Sequence, residues 1–181
     1  MIEELLQQLV ERIDNRYFGK YRGYVSGVAD PLNLGRIKAR VPRLLGEAET
    51  GWALPCTPYA GPDQGLYAIP DVGAGVWIEF EGGDPDFPIW SGTWFGTAAE
   101  VPAMALAAPP AVPNLVLQTI GQNTVMMSDV PGPTGGILIK STTGALISIN
   151  DIGITISNGK GATIVMAGPT VSVNGTALVV T

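Results

Sequence analysis

The chain has 181 residues and a net charge of −6, with one cysteine, no histidine, 24 Gly and 15 Pro. No histidine means no Ser-His or Cys-His pair, and one cysteine means no intrachain disulfide and no cysteine cluster for a metal. No run reaches the ~18 apolar residues of a bilayer span, and an acidic chain without a basic stripe is a poor partner for nucleic acid, whose phosphates supply most of the binding affinity. The charge is uneven. Residues 1–43 hold eight bases and five acids, residues 44–100 hold nine acids and no base, and residues 101–181 balance to zero. The frequent Gly and Pro favour short strands and turns over long helices.

Residues 1–17 have the pattern of an amphipathic helix. Ile2, Leu5, Leu6, Leu9, Val10 and Ile13 fall on one stripe of a 3.6-residue period. Glu3 and Glu4 open the segment and Arg12 and Arg16 close it, which suits the helix dipole. An acidic start is also unlike the basic start of an export signal, so the chain reads as soluble and not exported by a leader of its own. The stripe packs either on the rest of its own chain or on a partner.

Tyr21–Ala29 and Arg36–Val41 are strand candidates around a turn at Asp30-Pro31. In the second, Ile37, Ala39 and Val41 face one way and Arg36, Lys38 and Arg40 the other. That basic row reads as a solvated edge guarding against stray strand pairing rather than as an anion site. Trp52–Cys56 and Gly65–Ile69 are the third and fourth candidates, with Cys56 read as a small buried hydrophobe. In Val76–Glu81, Val76, Ile78 and Phe80 alternate with Trp77, Glu79 and Glu81, the period of a half-buried strand. Gly82-Gly83-Asp84-Pro85 forces a turn, and Ile89–Phe95 returns as an aromatic strand. Five or six short strands are enough for a small closed barrel. The carboxylates Glu79, Glu81, Asp84 and Asp86 lie close together, but an outer strand face and a turn account for them without catalysis.

Thr97–Asn114, with seven Ala and four Pro, reads as a linker on an extended path. Beyond it the character changes. Gly144, Gly153, Gly161, Gly168 and Gly175 recur, and between them lie apolar–small–apolar triplets: Ile147-Ser148-Ile149, Ile154-Thr155-Ile156, Val171-Ser172-Val173 and Leu178-Val179-Val180, with Ile164-Val165-Met166 a looser copy. This is the mark of a repeat architecture. A single meander of such short strands leaves its apolar face in water and buries too little area to offset its chain entropy. Three chains around one axis close that face, with Ile147, Ile149, Ile154, Ile156, Ile164, Met166 and Val171 pointing inward.

Three stretches resemble a known family. Tyr24 to Pro42, with its Asp30-Pro31 and Leu34-Gly35-Arg36 turn, and Pro70 to Gly92, with its Phe80-Glu81-Gly82-Gly83-Asp84-Pro85 core, resemble the hairpins of the small barrel in the phage baseplate assembly protein V family, the central spikes of contractile tails related to type VI secretion spikes. The end of the chain, from Pro169 to Thr181, resembles the family's needle.

The resemblance implies a mainly β fold. It consists of an N-terminal amphipathic helix (1–17), an oligonucleotide/oligosaccharide-binding (OB) type barrel (18–96), a linker (97–114) and an intertwined triple-stranded β-helical needle (115–181). It implies a non-enzymatic homotrimeric spike of the virion tail baseplate, made in the host cytoplasm, that joins a hub protein and pierces the target cell envelope without metal or cofactor. The hub-docking face falls on Leu5, Leu6, Leu9 and Ile13. A small tip protein with a proline-alanine-alanine-arginine repeat (PAAR-like) falls on Val173, Asn174, Leu178 and Val180, because the chain stops at Thr181 without a histidine-rich tip. The family's inserted lysozyme domain has no room between barrel and needle. The competing reading is an OB-fold module for nucleic acid or carbohydrate with a β-helical oligomerisation tail.

Overall fold

The computed structural model describes residues 2–4, 6, 10 and 16–181. The chain divides into two compact units, Met1–Gly96 and Thr97–Thr181. Of the N-terminal stripe, Leu5, Leu9 and Ile13 lie outside the described residues. Ile2, Leu6 and Val10 are helical and 75%, 55% and 52% exposed.

The first unit is a barrel of seven strands, two of which form a side hairpin. β1 (Tyr21–Gly27), β2 (Lys38–Arg40), β3 (Leu54–Pro55), β6 (Gly75–Phe80) and β7 (Pro88–Trp94) make one sheet in the order β2-β1-β6-β7-β3. Single antiparallel bridges Ile37↔Ala53 and Arg40↔Glu49 join β2 to the chain entering β3, so the sheet closes on itself. Closure leaves few edge groups open. Alternation decides what faces in. Val25, Ile37, Ala39, Val41, Ala53, Val76, Ile78 and Phe80 form the buried core, as the period-2 pattern of β2 and β6 predicts.

Two expectations in this unit are corrected. The strand expected at Gly65–Ile69 does not form. Instead Ala60–Gly61 (β4) and Gln64–Gly65 (β5) make a tight hairpin with Asp63 at φ 57, because Pro62-Asp63 is turn chemistry that folds the chain back before a longer strand can start. Cys56 is exposed, not buried. It follows β3 with its N–H bonded to the Trp90 carbonyl at 2.8 Å, and the alternation that buries Ala53 turns Cys56 outward.

The turn between β1 and β2 is held by one carboxylate. Asp30, buried, accepts hydrogen bonds from the N–H groups of Leu32, Leu34 and Arg36 and from the Arg36 guanidinium, the closest at 2.6 Å. The basic row is thus partly spent internally: Arg36 pairs with Asp30, and Arg36 and Lys38 lie over the Trp52 ring. The Arg36 hydrogen bond, with help from the backbone donors, holds the Asp30 carboxyl well below the usual carboxylate range. A depressed folded-state pKa contributes stability that is full above the unfolded carboxylate pKa of about 4 and is lost as pH falls through the lower folded value. Asp30→Asn is therefore expected to lower the barrel's melting temperature at neutral pH and to flatten its acid dependence, so that variant and native melts converge under strong acid. Parallel melts that stay equally far apart under strong acid would show that the charge of Asp30 is not what holds the turn.

The second unit begins with the segment expected to be an extended linker. It carries a 3-10 turn at Ala98–Glu100 and a one-turn helix at Ala103–Leu106 that contacts the first strand after it. There follows an antiparallel meander of eight strands in sequence order: β8 (Asn114–Gln118), β9 (Thr124–Ser128), β10 (Gly136–Lys140), β11 (Leu146–Asn150), β12 (Gly153–Ser157), β13 (Thr163–Ala167), β14 (Thr170–Val173) and β15 (Leu178–Val180). Strands of about five residues are roughly 17 Å long, and eight at about 4.8 Å spacing extend roughly 38 Å.

Candidate functional site

The register of the meander sets what its two faces present. Directly opposed residues share a face, so the pairings connect two unbroken rows across all eight strands. One row runs Leu115, Met127, Ile137, Ile149, Ile154, Met166, Val171, Val180. The other runs Leu117, Val125, Ile139, Ile147, Ile156, Ile164, Val173, Leu178. Every position in both rows is apolar.

The structure therefore brings all seven expected trimer-core residues onto one face. It puts Val173, Leu178 and Val180, expected at the tip, on the same face. Asn174 is apart from them. Its side-chain oxygen accepts a hydrogen bond from Thr163 N–H at 2.9 Å, and its own backbone opens the Asn174-Gly175 turn at φ 48.

Within the second unit this face stays open. Ile147, Ile149, Ile156 and Ile164 are 41%, 42%, 39% and 40% exposed, and Leu117 reaches 61%. A stable domain needs at least two packed layers. This meander is one layer, and contiguous apolar surface of this extent marks an interaction site.

The opposite face explains what the sequence pattern missed. Its central row is Val116, Met126, Leu138, Ser148, Thr155, Val165, Ser172, Val179. From β11 onward small hydroxyl residues interrupt it, which makes the apolar–small–apolar triplets. In β8 to β10 it is apolar, and Met126 is buried. The segment around the Ala103–Leu106 helix comes up against this part. Met104, Ala107 and Ala108 line a cavity of about 280 Å³ with Met126, Leu138 and Ser148, and the Asn114 amide donates to the Ala105 carbonyl at 3.0 Å. With both faces apolar, β8 to β10 lose the period-2 signal. Their continuous apolar triplets, Leu115-Val116-Leu117 and Ile137-Leu138-Ile139, were the signal available.

Among the described residues no three metal-ligating side chains cluster. Glu79 pairs with Lys20 at 3.2 Å and Asp84 with Arg16 at 3.0 Å, so two of the four neighbouring carboxylates serve the barrel surface.

A closed five-stranded barrel, followed by a one-layer meander with an apolar face that needs copies of itself, defines a structural, self-assembling protein. Comparison with protein families agrees at both ends of the chain. Residues 21–95 match the type VI secretion system/phage-baseplate injector OB domain. Residues 114–179 match the phage baseplate V C-terminal trimerisation domain. The chain belongs to the phage baseplate V family of spike proteins. No curated protein matches it.

Proposed function

We propose that this chain is the homotrimeric central spike of a contractile injection machine, joined to the baseplate hub at its N-terminal end and driven through the target cell envelope. The observation that carries this reading is the pair of apolar rows, unpartnered in one chain and lying in the residues that match a trimerisation domain. Three copies facing one axis would bury the rows of β8 to β13, and Val171, from every chain. Each buried Ile or Val side chain contributes about 1.5–3 kcal/mol. A narrow rod whose strands are all hydrogen-bonded in ladder suits the transmission of force. The role is mechanical and non-enzymatic.

Two partners complete the reading. The hub would dock on Leu5, Leu6, Leu9 and Ile13, a reading supported by the exposure of Leu6 and its stripe neighbours Ile2 and Val10. A PAAR-like tip protein would dock at Val173, Asn174, Leu178 and Val180. There β15 is the last strand of the sheet, and Leu178 and Val180 are each 57% exposed. A strand at a sheet edge offers open backbone groups for pairing.

One reconstitution tests both. The full chain, a variant lacking residues 1–16 and a variant truncated after Gly168 are each mixed with hub and tip proteins, and the complexes are sized. The first deletion is expected to abolish hub binding while leaving the trimer and tip binding. The truncation is expected to do the converse. A deletion variant that still joins the hub would remove the N-terminal stripe from that role, and a truncated trimer that still takes the tip would remove β14 and β15 from theirs.

A further inference from the structure

The outer face of the barrel sheet holds a second unpartnered surface. Arg22 on β1 lies directly across from Trp77 on β6. Its guanidinium sits 5.7 Å from the Trp77 ring centre and 5.4 Å from that of Trp94. Trp94 is itself fixed. Its ring lies so close to Gly75 that a Cβ there would come within 2.6 Å of it. Its indole N–H donates to the Val76 carbonyl at 3.2 Å, and Tyr24 packs edge-on at 5.3 Å.

The aromatic rings hold the cation without neutralising it. Among the described residues no carboxylate pairs with Arg22, whereas Arg16, Lys20 and Arg36 each have one. An exposed guanidinium held in place by stacking presents its donors to a planar anion at little further entropic cost.

The rest of the barrel supplies the complement. Residues 44–96 carry eight acids and no base, and of these only Glu79 and Asp84 are in ion pairs among the described residues. A threefold assembly is closed by head-to-tail contacts, in which one surface of a subunit meets a different surface of the next. Such a contact puts a cationic face against an acidic one rather than against its own copy. Proximity is provided by the second unit. β7 ends at Trp94 and β8 begins at Asn114, so each barrel is confined within roughly 70 Å of chain from its strand in the trimer. At that range effective concentrations reach the millimolar regime, and a weak contact is populated.

We propose that the Arg22–Trp77–Trp94 face of each barrel docks on a carboxylate from residues 44–96 of the neighbouring barrel, closing a ring of three. The inference rests on the trimer reading above and adds a residue-level contact to it.

The test uses full-length Arg22→Lys, which keeps the cation and supplies an amine for zero-length carbodiimide coupling to a touching carboxylate. Native mass is measured first. The expected result is a trimer that, after coupling, gives several-fold more covalent dimer and trimer on a denaturing gel than the native chain, whose own lysines set the background. Peptide mapping should join position 22 to an acid between residues 44 and 96. A trimer with only background coupling, or with position 22 joined within its own chain, overturns the contact and leaves the trimer standing. A monomer overturns both. Full-length Arg22→Glu adds a second readout: the mass should remain trimeric while the radius of gyration in solution scattering increases as the barrels separate. An unchanged radius contradicts the proposal.

Discussion

Replacing Ile154 and Ile156 together by Asp is expected to abolish the trimer. The two residues sit in adjacent rows of the apolar face. Ile154 lies opposite Ile149 and Met166, and Ile156 opposite Ile147 and Ile164. In a trimer closed on this face, the double variant places two carboxylates from each chain on a dry axis. An uncompensated buried charge costs several kcal/mol even after relaxation, so the penalty exceeds the whole stability of an ordinary domain. The expected readout is loss of the trimer on sedimentation together with loss of protease resistance in residues 115–181. Thr155→Asp, one residue away on the opposite face, is the matched control and should leave both unchanged. If the double variant stays trimeric and equally resistant, the rows do not face the axis.

Gly136→Ala is expected to be nearly as damaging, for a backbone reason. Gly136 opens β10 at φ 78, and an added Cβ would lie 2.1 Å from the Ile149 carbonyl oxygen and 3.0 Å from the Asn150 Cα. Both neighbours are backbone, so the ladder between β10 and β11 must shift. A strained backbone position costs of order 1–3 kcal/mol, a steric clash adds to it, and a trimer carries the change three times. A drop of more than 10 °C in the needle's melting temperature is expected from losses of about this size. Gly161→Ala provides the comparison, because it too has a positive φ, 103, but nothing within 4 Å of the added carbon. Equal losses from the two would show that crowding at Gly136 does not matter.

Much of this architecture was legible because its strands are half-buried. Ile37, Ala39 and Val41 against Arg36, Lys38 and Arg40, and Val76, Ile78 and Phe80 against Trp77 and Glu79, carry the period-2 signal that only one covered face can write into a sequence. The same signal marks β11, β12 and β14, where Ser148, Thr155 and Ser172 face out, but not β13 and β15, where Val165 and Val179 do. It fails in β8 to β10, whose outer residues Val116, Met126 and Leu138 are apolar like the inner ones. The Ala/Pro composition of residues 97–114 suggested an extended path, yet one turn of helix at Ala103–Leu106 forms there between the prolines.

The closed ring of strands depends on the isolated bridges at Ile37 and Arg40, single contacts that no local pattern announces. The Asp30 turn was visible as Asp30-Pro31, but not the convergence of Leu32, Leu34 and Arg36 on one carboxylate. Arg22 between Trp77 and Trp94 is likewise a product of cross-strand register, set by residues 55 and more positions apart.

The central claim is that the meander's two apolar rows are the interior of a three-chain needle. Sedimentation equilibrium on the native, full-length protein tests it most directly. The account predicts a single species at close to three times the 18.9 kDa chain mass, unchanged on dilution through the range in which weak complexes dissociate. A stable, folded species at the mass of one chain would contradict it.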